Sequence, residues 1–231
     1  MSRIETVLQE SAPRSGLTRE MRLGDKVYAA IYEQLMSHKI LPGDRMSIDN
    51  LVRELGVSQT PIREALSRLE AQGLVVKRHL IGYSAAPQLD RAGFEELFEM
   101  RMLLEPFAAA RAARTASDEA LQRLETIDRD LESPKAAAQG GVAATFARLD
   151  AEFHDLIALL SGNALLRNAL GSLNTHIHLF RLFHHSQATA DSVLEHRAII
   201  DAMRRHDEKG ADEAMRSHIE SSRARLVSYF G

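Results

Sequence analysis

Apolar positions recur at helical spacing over most of the chain. Val27, Ile31, Leu35 and Met36 predict a helix of about four turns beginning near Gly24. The run Leu41-Pro42-Gly43-Asp44 is a turn that stops it. Ser47 is placed to cap a second helix through Leu55, with Leu51 and Val52 inward and Gly56 just past its end. Ser58 or Thr60 caps a third, with Pro61 in the first turn, where a missing N–H costs little. Ile62, Ala65, Leu66 and Leu69 form its inward face, and Gly73 ends it. The pattern then shortens. Residues 74–78 read as a strand, and a turn through Gly82 leads to a short return strand ending near Ala86, before Pro87.

Beyond Pro87 the pattern is helical throughout, with helices expected at about 90–115, 118–132, 142–161, 164–185, 191–207 and 210–229. Residues 133–141 form the clearest internal loop, and residues 1–20, which lack periodicity, read as a mobile arm. The expected architecture is mainly α. A winged helix-turn-helix domain at 21–87 precedes an all-helical bundle of six to seven helices at 88–231.

Composition narrows the function classes. Apolar residues make up 45% of the chain, enough for a core, and cysteine is absent, which excludes disulfides and thiolate metal sites. No apolar run reaches the roughly 20 residues needed to span a bilayer. Residues 1–20 mix charges with apolar residues and carry no signal-peptide pattern, so a cytoplasmic, membrane-free protein is expected. The net charge of −3 gives no bulk affinity for nucleic acid; residues 1–87 carry +2 and the remainder −5. Placement of individual basic groups must therefore carry any DNA argument.

That placement is informative. A glycine turn between two short helices forces a steep crossing, and the second helix then projects far enough to enter a major groove. Its first residues are Ser58, Gln59, Thr60 and Pro61, suited to phosphate oxygens and an adenine edge, followed by Arg63, which can chelate guanine. Arg53 and Arg68 are placed to grip the backbone, and Arg78, His79 and Gly82 sit on the wing. Any one of these arginines could equally be a solvated face; turn, caps, helix polarity and wing together point to DNA.

Eight of the ten histidines follow residue 88. Asp150 and His154 share a helix face at i, i+4 with Phe146, Phe153 and Ile157. His196 lies on a stripe with Val193, Ile199, Ile200 and Met203, and His218 on one with Ala211, Ala214 and Met215. Four polar groups on inward stripes of three helices need partners. One divalent transition cation (Zn2+, Ni2+, Mn2+ or Fe2+) would satisfy all four; ordinary core hydrogen bonds are the alternative for each singly. His176, His178, His184 and His185 have no matching carboxylate and are assigned to the surface or an interface. Arg101 falls on an apolar stripe with Phe94, Leu97, Phe98 and Ala108, so it awaits either a ligand carboxylate or Glu105 one turn on. Asn174 and Arg181 are further effector-pocket candidates.

The motifs also carry a resemblance. Ile40-Leu41-Pro42-Gly43, the run from Leu55 through Leu66 (LGVSQTPIREAL), Arg68-Leu69-Glu70 and Gly73-Leu74-Val75 resemble the N-terminal signature of GntR-family regulators, departing from it at Gln59, where arginine is usual. Glu99 through Glu105 (EMRMLLE), Asp150-Ala151-Glu152-Phe153-His154, Ser161-Gly162-Asn163, His196 and His218 resemble the FCD ligand-binding domain of the FadR subgroup. The resemblance implies a homodimeric regulator, not an enzyme. It would bind a double-stranded, inverted-repeat operator and respond to a small-molecule effector, a carboxylic acid. A metal-responsive regulator, an enzyme using the histidine site, and a purely architectural DNA binder are the rivals. No added general base supports the enzyme.

Overall fold

The computed structural model describes residues 22–132, 142–182 and 189–230. The arm expected at 1–20, the loop at 133–141, His184 and His185 lie outside the described residues.

The first unit begins with α1 (Leu23–Met36), whose Val27, Ile31, Leu35 and Met36 are buried as their spacing requires. In α2 (Ile48–Leu55) the Ser47 side chain accepts from Asn50 N, and Gly56 follows at φ 66°, a left-handed conformation that glycine adopts without strain. Helix α3 (Gln59–Ala71) starts after Ser58, which occupies the cap position without making a side-chain cap bond. It buries Ile62, Ala65, Leu66 and Leu69. Strands β2 (Val75–Arg78) and β3 (Gly82–Ala85) pair antiparallel from Val75↔Ala85 to Arg78↔Gly82. The three-residue loop between them is left-handed at Leu80, φ 64°. The sequence pattern misses a third strand, β1 (Arg45–Met46), which pairs with β3 and gives the order β1-β3-β2. Two residues are too few to show alternation, so this strand exists only because β3 offers it an edge.

The second unit is helical: α4 (Arg91–Thr115), α5 (Asp118–Glu132), α6 (Val142–Leu160), α7 (Ala164–Ser172), α8 (Thr175–Leu182), α9 (Thr189–Arg204) and α10 (Glu208–Val227), closed by a 3-10 turn at Ser228–Phe230. Helix α10 packs on α4 and α9, α9 on α5, and α6 on α4 and α5. Asp90, Asn163 and Asp207 cap α4, α7 and α10 with their side chains. The single helix expected at 164–185 is corrected to two. The chain turns at Asn174, φ 47°, a conformation asparagine tolerates better than most residues. Among the described residues no helix is long and apolar enough to cross a membrane.

Each unit has its own hydrophobic core, one built from α1–α3 and the sheet, the other from the bundle. They meet where α1 touches α6 and α8, and Ala147 of α6 is buried in the first core.

Candidate metal centre and nucleic-acid interface

The side chains expected to meet DNA lie on one exposed set of elements. Arg53, Ser58, Gln59, Thr60, Arg63, Arg68, Arg78, His79 and Gly82 are exposed and Pro61 is half-buried. The amino end of α3 is held by a short polar chain. Gln59 Nε2 donates to Asp49 Oδ1 (3.1 Å), and Arg63 Nη2 donates to Gln59 Oε1 (3.3 Å). Arg53 is turned back along α2 to Asn50 and the Asp49 carbonyl. Arg68 pairs with Asp25 (2.9 Å) and lies over the Tyr28 ring, 4.2 Å from its centroid. Exposed contacts of this kind contribute about 0–1 kcal/mol, so a phosphate can displace them. At the wing tip Leu80 is 94% exposed, an apolar residue held out into solvent between His79 and Ile81.

The four inward groups of the helical unit converge. Asp150, His154, His196 and His218 are all buried. One ring nitrogen from each histidine lies within 4.8 Å of the others. Asp150 Oδ1 is 3.5 Å from His196 Nε2 and 4.0 Å from His154 Nε2. On the far side, each ring turns Nδ1 to a carboxylate: His218 to Glu195 (2.8 Å), His154 to Glu105 (2.7 Å) and His196 to Asp128 (3.5 Å). The His218–Glu195 contact is a hydrogen bond, and a carboxylate bonded behind an imidazole fixes its orientation and tautomer, leaving Nε2 with a free lone pair for the centre. Both ring nitrogens of His154 and of His196 are enclosed and have no hydrogen-bond partner among the described residues. Buried orphan acceptors are rare in folded proteins. Three converging imidazoles, with a carboxylate beside two of them, suit a divalent transition cation.

Electrostatics prepares the same state. Burial, opposed by Glu195 and reinforced by His196, His154 and Arg101, pushes the His218 imidazole down to about 3. Burial likewise lowers His154 against the pull of Glu105. Burial works to raise the Asp150 carboxyl, but His176, His154 and His196 outweigh it and hold it well below its ordinary value. Lowered values favour neutral imidazoles at His154 and His218 and an ionised carboxylate at Asp150, the forms that bind metal.

Beside the centre is a cavity of about 250 Å³, lined by Glu105, His154, Asp155, Asn174, Thr175 and His176 among others. Asn174 lines this cavity, and Arg101 and Arg181 are not among its lining residues. Arg101 is spent on Glu105, Nε donating to Oε1 at 2.6 Å, with both side chains buried. Arg181 reaches the other way, Nη2 donating to Ala86 O at 2.5 Å. The surface assignment of His176 is corrected. Its Nδ1 lies 2.7 Å from Asp150 Oδ2, because α8 starts at residue 175 and swings its first turn over α6. Asp128 and Glu195 were also missed. Asp128 falls on the inward stripe Leu121, Leu124, Leu131, the one signal that could have found it.

Comparison with known proteins decides the family. Residues 96–221 match the FCD domain, and residues 23–83 match the gntR family of bacterial regulatory proteins. The chain belongs to the GntR family. This GntR-family chain is 31% identical over 170 residues to a probable D-xylose utilization operon transcriptional repressor of Paenarthrobacter nicotinovorans, a match covering 73% of each. It is 29% identical to the HTH-type transcriptional regulator YdhC of Bacillus subtilis, covering 83% of this chain and 85% of that one. Among solved structures it is similar to McbR/YncC of E. coli, with a TM-score of 0.71 at 20% identity, covering 92% of this chain and all of the other; that likeness shows the fold. The protein is a transcriptional regulator with a DNA-binding GntR-type domain and an FCD domain.

Proposed function

We propose that this protein binds an inverted-repeat operator as a homodimer and that a metal-anchored small carboxylic acid in the helical unit modulates that binding. The division would fall near residue 87, with the winged unit reading DNA through Gln59 and Arg63 in the major groove and Arg78 and His79 beside it. The observation that carries the reading is the convergence of three buried imidazoles, His154, His196 and His218, with Asp150 beside two of them. These four residues would hold Zn2+, Ni2+, Mn2+ or Fe2+, and the cation would offer a Lewis-acidic site to a ligand carboxylate in the adjoining cavity. The names of the relatives support repression as the output. Dimerisation is supported by Met100, Leu103 and Phe107, an exposed apolar stripe at helical spacing on α4. Such a regulator would act in the cytoplasm, where its DNA is.

A second reading has its own support. Arg101 is closed off by Glu105, and among the described residues no free cation side chain lines the cavity to receive an acid. In that reading the metal itself is the effector. Elemental analysis of protein purified without tag or chelator, followed by titration of the stripped protein with Zn2+, Ni2+ and Mn2+, tests the shared premise. About one ion per chain is expected, lost in His154→Ala and His218→Ala with operator binding retained in part. A chain that binds none of the three refutes it. Operator affinity that follows metal and ignores carboxylic acids selects the second reading.

A further inference from the structure

Helix α8 touches both working parts of the molecule. Its first turn and the residue before it, Asn174, Thr175 and His176, line the cavity, and His176 holds Asp150. The same end abuts the winged unit: a Cβ placed on Gly73 would lie 3.3 Å from Asn174 Nδ2. Gly73 is the turn that ends α3, at φ 71°, with its N–H on Glu70 O and the Leu74 N–H on Leu69 O. The other end of α8 returns to the same corner. Arg181 Nη2 donates to Ala86 O, and Gln88 Nε2 donates to Arg181 O (2.6 Å). Ala86 in turn donates to Leu74 O (2.8 Å). Gly73, Leu74 and Ala86 thus form one corner, where α3 ends and the chain leaves the wing for α4; Arg181 is bonded to it and Asn174 lies beside it.

The Arg181 contact is costly. Arg181 is buried, yet its Nε and Nη1 meet no hydrogen-bond partner among the described residues, and no carboxylate there pairs with it. A guanidinium keeps its charge under all ordinary conditions, so enclosing it with one carbonyl contact stores free energy in this arrangement of the two units. A contact of that kind is readily exchanged for another, as a two-state element requires.

We infer that α8 is the element through which occupation of the centre reaches the DNA-reading helix, with Asn174 and Arg181 as its two positioning residues. The inference rests on the proposed metal reading. Asp150 is shared between the centre and His176, so filling the centre changes the hold on the first turn of α8, and that change arrives at Gly73 and Ala86.

The test uses the full chain, stripped with chelator, and Ni2+ alone as the probe. Calorimetry reads Ni2+ binding, and amide hydrogen exchange reads the Gly73, Leu74 and Ala86 amides. In the unsubstituted protein Ni2+ should change exchange at these amides at least about fivefold, the lower end of ordinary allosteric coupling. Asn174→Gly keeps the left-handed turn and removes the amide against Gly73. Arg181→Met removes the bond to Ala86. In each, Ni2+ affinity should stay within about threefold while the exchange response falls below about twofold. Arg181→Gln, which keeps a donor for the Ala86 carbonyl, should recover part of it. A full response in both variants, or Ni2+ binding with no response in the unsubstituted protein, overturns the inference and leaves the metal reading intact. Failure to bind Ni2+ at all overturns both.

Discussion

The two units of this regulator keep their candidate site side chains in opposite environments. In the winged unit Arg53, Gln59, Arg63 and Arg68 are exposed and are held by contacts with one another and with Asp25, Asp49 and Asn50. In the helical unit Arg101, Glu105, Asp150, His154, His196 and His218 are enclosed in a network that joins α4, α6, α9 and α10. On the proposed function, the difference follows from the size of what each would meet. A DNA duplex brings its own dense charge and can take a hydrated arginine from weak surface partners. A single ion or small acid must find its ligands already oriented, which demands burial and a second layer of carboxylates.

If that contrast is right, substitutions in the helical unit should be felt first in stability, and those in the winged unit first in DNA discrimination. The largest effect is expected for Arg101→Met, which leaves Glu105 enclosed with His154 as its remaining ion-pair partner among the described residues. Losing one member of a buried pair costs about 3–5 kcal/mol, to be read as a lower unfolding midpoint in denaturant. A change within experimental error would show the pair to be solvated after all.

Acid should expose the same asymmetry. His218 has a folded value near 3 against an ordinary 6.5, and His154 is lowered too. In this window the unfolded chain binds more protons than the folded one. Stability of the metal-free protein is therefore full above about pH 6.5 and falls as pH drops toward 3. Thermal melts across that range in the presence of chelator check the sign. His218→Asn should flatten the slope.

Next in size is Glu195→Gln, which weakens the support behind His218 Nδ1. Metal affinity should drop about 10–100-fold while the fold persists, measured by competition with a chromogenic chelator. In the winged unit, Arg63→Ala should remove about 1–3 kcal/mol of discrimination between operator and random DNA and leave the melting temperature of the helical unit unchanged. Full discrimination in that variant would displace α3 as the reading helix. The smallest effect is expected for Arg68→Ala. The Asp25 pair it breaks is exposed and contributes about 0–1 kcal/mol, so a larger stability loss would have to come from its packing on Tyr28.

What the sequence determined by itself is whatever local chemistry decides. Spacing of Val27, Ile31 and Leu35, the Ser47 cap, the glycines at 56 and 73 and the short β-branched run after Gly73 are properties of a few neighbouring residues, and they specify the winged unit almost completely. Inward stripes likewise brought Asp150, His154, His196 and His218 to notice, because a polar group among apolar ones at helical spacing is visible in one dimension. Tertiary structure alone decided the rest. Strand β1 is two residues that become a strand only against β3, and the break at Asn174 depends on where α8 must pack. Glu105, Asp128 and Glu195 stand behind the histidines from three different helices, and His176 reaches Asp150 across 26 residues of chain. Arg101 was poised between a ligand and Glu105 until burial of both side chains settled it, since an enclosed charge takes the nearest opposite one. Pairings of this kind are set by how helices cross, and no run of neighbouring residues encodes a crossing.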